Sequence, residues 1–370
     1  MQERITKLEG ISIKNFRGIK ETTIRGFSDI NIFIGRNGSG KSTLLEAIYL
    51  ASSFVKKIDP FTSKLKIDLI TTRRSDRNVQ RMVNRDILWY RLATENPIQL
   101  TLFFTNGKKM DLELHAQEPE GRLWIHMNKI YEVLGKVRKD YTHFNYSDSM
   151  LFNINTGVHG TDISIKNAFF NTFKSEIELL SDTILVDERV LRQPIVMERK
   201  VWPKILSKRL DRRIIEIVRQ AYEKNAEDLS YIPMDGGYYL VLKLRDTIVR
   251  LDDLGDGIRI AIILAAYLLL ARNTIVLIED PENHQHPGGL LSILDFISEI
   301  AKSNNLQIFM TTHSLELIRF MRKIAEEKKI GLKVFFFERE KGIVNTRAIE
   351  AIDLDIIRDL GIDPRFLDVF

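Results

Sequence analysis

Eight residues near the amino terminus, Gly35-Arg36-Asn37-Gly38-Ser39-Gly40-Lys41-Ser42, fit the pattern GxxxxGK[ST] in full. Each residue type in that run has a use in holding phosphate. The glycines let backbone N–H groups turn inward at phosphate oxygens, Lys41 reaches the β and γ phosphates, and Ser42 binds Mg²⁺. The flanks supply the context such a loop requires. "INIFI" (Ile30 to Ile34) reads as a buried strand, and "KSTLLEAIYLASSF" reads as a helix that offers its positive end to the anion. A Gly-rich turn with a chance lysine would need neither flank.

A second constellation stands far along the chain. In "TIVLIEDPENHQHP" four apolar residues end in Glu279-Asp280, so two acids project from the tip of a buried strand. Beside a phosphate loop the first acid would hold Mg²⁺ through water and the second would polarise an attacking water. A pair of solvated loop acids is the plainer alternative. His284 and His286 stand two apart in a turn with no third ligand in view, which weighs against a dedicated transition-metal site. Further on, "IFMTTHSLELI" delivers Thr311, Thr312, His313 and Ser314 to the carboxyl end of another buried strand. In a parallel sheet that edge is where ligands collect, and His313 could donate to a γ-phosphate oxygen there. Gly255-Asp256-Gly257 reads alone as a turn and helix cap. Its place 22 residues before Glu279 gives it meaning.

The elements that must position these groups follow from periodicity. "GISIKNFRGIKETTI" alternates around a Gly turn and predicts a β-hairpin. "PIQLTLFFTNGKKMDLELHA" predicts a second hairpin at Asn106-Gly107, with "LWIHMN" after it. Residues 138 to 165, rich in Asn, Ser, Asp and Gly, read as irregular loop. Helical patterns cover "NAFFNTFKSEIELL" and one longer stretch from Trp202 to Lys224. "GYYLVLKL" is a strand, and "IRIAIILAAYLLLA" is an apolar helix. The end then alternates strand (Thr274 to Ile278), helix (Gly289 to Lys302), strand (Leu306 to Thr311), helix (Leu315 to Lys328) and strand (Leu332 to Glu338). Strands separated by helices at this spacing imply a parallel sheet.

Composition narrows the class. The chain has 370 residues, 44% hydrophobic and 28% charged, which suits a folded protein with a sizeable core. No cysteine is present, so disulfides, thiolate metal sites and cysteine nucleophiles are excluded. The charged start "MQERITKLEG" is no signal peptide, and the longest apolar run, Ile260 to Ala271, falls short of the roughly 20 residues a membrane helix needs. The expectation is a cytoplasmic protein with no membrane partner. Net charge is +5. Ten Lys and Arg lie between Arg189 and Arg219 against Glu198, Asp211 and Glu216. Nine more span Lys56 to Arg85, with Asp59, Asp68, Asp76 and Asp86 among or beside them. Both clusters read equally as solvated, ion-paired helix faces or as contact surfaces for the phosphate backbone of DNA or RNA.

Taken in order, these motifs resemble the ABC-type ATPases, in the branch that includes SMC, RecF and the OLD (overcoming lysogenisation defect) family. "ISIKNFRGIK" resembles the opening strand, "GRNGSGKS" Walker A, "LGDG" the signature loop, "IVLIEDPENHQHP" Walker B with its D-loop, and "TTHS" the switch histidine. The resemblance covers about 1–50 and 236–340. It implies an α/β P-loop NTPase fold: an ATPase head with a mixed or parallel core sheet, an antiparallel β subdomain and a helical insertion. The lobes would be 1–130 and 236–370, with the insertion at 131–235. ATP and Mg²⁺ are the implied cofactors. Gly35 through Lys41, Ser42, Thr43 and Arg17 would hold the nucleotide, with Mg²⁺ on Ser42 and Glu279. Asp280 would be the catalytic base and His313 the γ-phosphate sensor. Gly255, Asp256 and Gly257 would cap the nucleotide of a second subunit in an ATP-dependent head-to-tail homodimer.

Three departures bear on rate. The usual Asp-Glu pair is Glu-Asp here, so the base is one methylene shorter and slow basal hydrolysis is expected. Gly255 stands where the signature loop has serine. Gln193, in "VLRQP", is the candidate Q-loop glutamine. The implied role is DNA maintenance or anti-phage defence. OLD nucleases carry a Toprim domain after the head, and the 57 residues beyond His313 are too few for one, so a separate nuclease or effector is expected. "GIDPRFLDVF" reads as a docking tail or as a packed terminal turn. The alternatives are a non-hydrolytic ATP switch and, against the long middle region, the ATPase subunit of an ABC transporter.

Overall fold

A computed structural model describes residues 6–73, 85–117, 122–126, 143–145, 154–155, 171–192, 197–234 and 237–349. The chain opens with β1 (Leu8–Phe16), β2 (Ile19–Arg25), β3 (Ile30–Gly35), α1 (Lys41–Ser53) and α2 (Lys66–Thr72). An antiparallel run follows in β4 (Ile98–Phe104), β5 (Lys109–Gln117), β6 (Arg122–His126), β7 (His143–Asn145) and β8 (Ile154–Asn155). Next come α3 (Lys174–Ser181), β9 (Ile184–Val186), α4 (Glu188–Arg192), α5 (Trp202–Ser207) and α6 (Asp211–Ala221). A meander of β10 (Ala226–Met234), β11 (Gly237–Leu244) and β12 (Ile248–Arg250) leads into α7 (Asp256–Leu270). The last part alternates: β13 (Ile275–Glu279), α8 (Pro287–Ser303), β14 (Gln307–Thr311), α9 (Leu315–Lys328), β15 (Leu332–Glu340) and β16 (Ile343–Ile349).

Among the described residues one 13-stranded sheet runs β8-β7-β6-β5-β4-β1-β2-β16-β15-β3-β14-β13-β9, and β10-β11-β12 form a second sheet. The block β15-β3-β14-β13-β9 is parallel. β3 lies inside it and is buried along its whole length, as a near-continuous apolar run should be. Its side chains still alternate between two cores. Ile30, Ile32 and Ile34 join Val276, Ile278, Ile308 and Met310 on the face packed by α7, α8 and α9. Phe33 joins Leu277 and Phe309 on the face packed by α1 and the amino-terminal strands. There Phe33 meets Phe309, Phe335 and Phe337 at centroid distances of 6.1, 5.8 and 5.2 Å. α7 is buried from Ile260 to Leu269, so an all-round apolar sequence here means a helix inside the protein.

The two predicted hairpins form, β1 against β2 and β4 against β5, and the parallel block has the expected strands. Lobes 1–130 and 236–370 share the sheet, since β3 of the first lies between β14 and β15 of the second. The long helix expected from Trp202 to Lys224 is two helices instead. Arg209 takes a left-handed φ of 57° between α5 and α6, which ends one and reorients the next. The loop expected over 138–165 contains β7 and β8, which extend the antiparallel edge. Sequence reading also passed over β9, β10, β12 and β16. Gln193 and the tail "GIDPRFLDVF" lie outside the described residues.

Candidate functional site

β3 stops at Gly35 with φ 139°, and a Cβ there would come within 2.4 Å of the Phe337 carbonyl oxygen. Only glycine lets the chain leave the sheet this close to β15. The loop closes at Gly40, which enters α1 with φ 109° and gives the helix no side-chain cap; no acid stands in its first turn. The first N–H groups of α1 are therefore left for an anion. Lys41, 5% exposed, turns its ammonium back onto the carbonyls of Gly35 at 2.8 Å and Arg36 at 3.0 Å. Burial pushes this ammonium down to about 8, against the pull of Asp280 and Glu282. The Ser39 hydroxyl is buried with no hydrogen-bond partner among the described residues. A buried polar atom without a partner is costly, and a phosphate oxygen would satisfy it.

The carboxyl edge of the parallel block faces this loop. A cleft of about 460 Å³ is lined by Asn37, Gly38, Gly40, Lys41, Ser42 and Thr43 from the loop and α1, and by Glu279, Asp280 and His313 from across the edge. That volume is ordinary for a small-molecule site. Asp280 sits at a left-handed φ of 44°. Its N–H donates to the Thr311 carbonyl and its Oδ1 accepts from the Thr311 hydroxyl at 2.9 Å, so β14 fixes the acid. His313 is exposed beside it, and its backbone N–H donates to Glu282 Oε1 at 2.9 Å. The same oxygen accepts from the Thr312 hydroxyl at 2.6 Å. Burial raises the Glu282 carboxyl, the hydrogen bonds from Thr312 and His313 lower it, and Asp280 adds to the rise. Glu282 thus ties the turn after β13 to the end of β14.

Several lining groups were not foreseen. Arg73, Asp187, Glu188, Arg189, Gly18 and Arg339 also face the cleft. β9 brings Asp187 there by pairing in parallel with β13. Its signal was available, because "TILVDE" repeats the apolar-run-then-acid pattern of "IVLIED". Arg73 extends from the end of α2 to three carboxylates: Glu279, Asp187 at 2.9 Å and Glu46 at 3.2 Å. Arg17, expected at the nucleotide, is not among the lining residues. It is buried and committed to Glu46 at 2.6 Å and to the Ile70 carbonyl at 2.6 Å. An arginine desolvated between those partners has little left for a phosphate.

The turn at Gly255 to Gly257 lies beside the cleft: Asp256, with Arg259, Asn283 and His284, lines a small second pocket that also touches Glu279 and Asp280. Gly255 precedes α7, Asp256 pairs with Arg259 at 2.5 Å and His284 at 3.4 Å, and the Gly257 carbonyl accepts from Gln285 at 3.2 Å. The Tyr222 hydroxyl, at the end of α6, donates to Gln285 at 2.6 Å. His286 caps α8, accepting from the Gly288 N–H. Both histidines therefore have structural uses.

A phosphate loop and an acid pair meeting across the edge of a parallel sheet, with His313 beside them, are the layout of a P-loop ATPase. The chain belongs to the AAA ATPase domain family, which it matches over residues 7–190 and 199–318. It is similar to an ATP/GTP phosphatase of Helicobacter pylori, 25% identical across 94% of this chain and 97% of that one. It is also similar to the DNA replication and repair protein RecF of Pseudoalteromonas translucida, 28% identical over 39% of this chain and 48% of the relative. An Smc head crystallised with the C-winged helix domain of ScpA has the same fold, with a TM-score of 0.53, 13% identity, and coverage of 93% of this chain and 98% of that one. Among the described residues, no helix is long and apolar enough to cross a membrane.

Proposed function

We propose that the protein binds and slowly hydrolyses ATP, and that the nucleotide joins two copies head to tail. The carrying observation is that Lys41, Ser42, Glu279, Asp280 and His313 line one cleft although the chain separates them widely. On ATP binding Lys41 exchanges two loop carbonyls for the β and γ phosphates, and Ser39 gains an acceptor. Ser42 and Glu279 would hold Mg²⁺, which when bound would supply positive charge to the phosphates. Asp280 takes the proton of the water that attacks the γ-phosphorus, leaving ADP and orthophosphate. Thr311 holds the carboxylate in place, and His313 donates to the γ-phosphate. Gly255 and Asp256 are exposed at the rim of the cleft, where Asp256 shares a small pocket with Glu279 and Asp280, and this turn is the part we assign to closing over the site of a twin.

The expected result is nucleotide binding that is lost in Lys41→Ala, and phosphate release that falls at least about a hundredfold in Asp280→Ala with binding kept. Hydrolysis by Asp280→Ala at the parent rate overturns the assignment. The second reading, a non-hydrolytic switch, is favoured by the short carboxylate already bonded to Thr311. Dimers that form with ATP and release no phosphate would establish it. The biological setting we infer is DNA maintenance, from the similarity to the DNA replication and repair protein RecF; anti-phage defence is carried over only from the resemblance of the motifs to the OLD family.

A further inference from the structure

Arg73 places a different carboxylate on each of its three guanidinium nitrogens: Glu46 on Nη1, Asp187 on Nε and Glu279 on Nη2. The three contacts are unequal. Glu46 is 0% exposed and also holds Arg17, so it is immovable. Asp187 accepts from the Val190 N–H at 3.0 Å and caps α4. Glu279 is the most exposed of the three at 18%, and it borders the cleft. Two anchors hold the arginine, and its third arm rests on the acid assigned to the metal.

A bare acid here would be a liability. Glu46, Asp187 and Glu279 all bond Arg73, and Asp280 lines the same cleft, so removing Arg73 takes away the cation paired with Glu279 at a partly screened site. Yet the described residues contain no group of three His, Cys, Asp or Glu able to hold a metal ion. A magnesium ion at such a place needs phosphate oxygens and water to complete its shell.

We propose that Arg73 is a placeholder cation: without nucleotide its guanidinium neutralises Glu279 and keeps divalent ions out, and it yields that carboxylate to Mg²⁺ arriving on the nucleotide. The inference rests on the assignment of Mg²⁺ to Ser42 and Glu279. Arg73 is thus a positioning residue, acting through Glu279 and remaining pinned by Glu46 and Asp187 after release. Metal and nucleotide then bind together, since the metal alone meets an occupied acid.

The probe is Mn²⁺, titrated into the whole chain and followed by the paramagnetic signal of the free ion. Without nucleotide the parent protein should bind Mn²⁺ weakly. Arg73→Gln should tighten that binding at least about tenfold, the effect of one unit charge a few ångströms away. Arg73→Lys should stay near the parent, and Arg73→Gln with Glu279→Gln should lose the gain. Should Arg73→Gln fail to fold, Arg73→Met keeps the buried stem and serves in its place. Unchanged nucleotide-free Mn²⁺ affinity in a folded Arg73 variant overturns the placeholder role. The metal assignment fails separately, if Mn²⁺·ATP binds Ser42→Ala and Glu279→Gln as tightly as the parent.

Discussion

Lys66 illustrates what one residue can conceal. Counted in sequence within a basic cluster, it is 0% exposed in the structure, with its ammonium on the Ser52 hydroxyl at 2.9 Å and the Ser181 carbonyl at 3.2 Å. Burial pushes it down to about 7, against Asp59 and Asp182. Between pH 7 and its unfolded value of 10.5 the unfolded chain holds a proton that the folded chain lacks. Folding stability therefore rises with pH through that window, by up to about 1.4 kcal/mol per unit, and is least below it, where the buried amine must charge. Urea midpoints between pH 6.5 and 9.5 should climb for the parent and flatten for Lys66→Met; parallel curves would refute this reading. Arg73 went unseen for the same reason. A count of bases carries no information about which of them turn inward, because that depends on acids such as Glu46 and Asp187 elsewhere in the chain. The groups that could be read directly, Lys41, Asp280 and His313, sit where a strand ends in a distinctive local run.

At the scale of elements, the contact between α6, α7 and α8 offers a clean test. The Tyr222 ring fills space that glycine leaves open: a Cβ on Gly289 would lie 2.8 Å from Tyr222 Cε1, and one on Gly257 would lie 3.7 Å from it. Gly289→Ala should gain up to about 1 kcal/mol of helix propensity. It should lose about 1–3 kcal/mol by overpacking an aromatic ring already tied to Gln285. We expect a net loss in thermal or urea unfolding, converted to a gain when Tyr222→Ala accompanies it; additive effects of the two changes would show that they do not touch. The hairpin at Asn106-Gly107 was legible because its turn chemistry is local. β9 was not, since three residues become a strand only by pairing with β13, some 90 positions later. β16 escaped for a related reason. Its register against β15 is set across Lys341-Gly342, behind a strand whose exposed end looked like its terminus.

For the whole molecule, the basic surface can now be sorted. Lys66 and Arg73 belong to the interior, while Arg213 pairs with Glu299 at 2.6 Å. Arg199, Lys200, Lys204, Lys208, Arg209 and Arg212 remain exposed around the break between α5 and α6. If this corner meets a nucleic-acid backbone, DNA affinity should fall steeply with salt. Reversing Lys208, Arg209 and Arg212 to Glu should lower it and shrink the slope by up to about 0.9 per lost phosphate contact. Affinity that is absent, or indifferent to salt, removes this corner from consideration. The parallel block itself was readable from the alternation of strands and helices, whereas its order was not. β3 is flanked by β14 and β15, so the strand carrying the phosphate loop has no neighbour in the sheet until the ribosome has passed Thr311, and lacks its second until Glu340. At about 5–20 residues per second, a nascent chain carries that apolar strand unpaired for roughly 14–55 seconds after making it. Maturation of this protein must therefore depend on its last-made strands, and a ribosome stalled short of them releases a polypeptide that a chaperone has to hold.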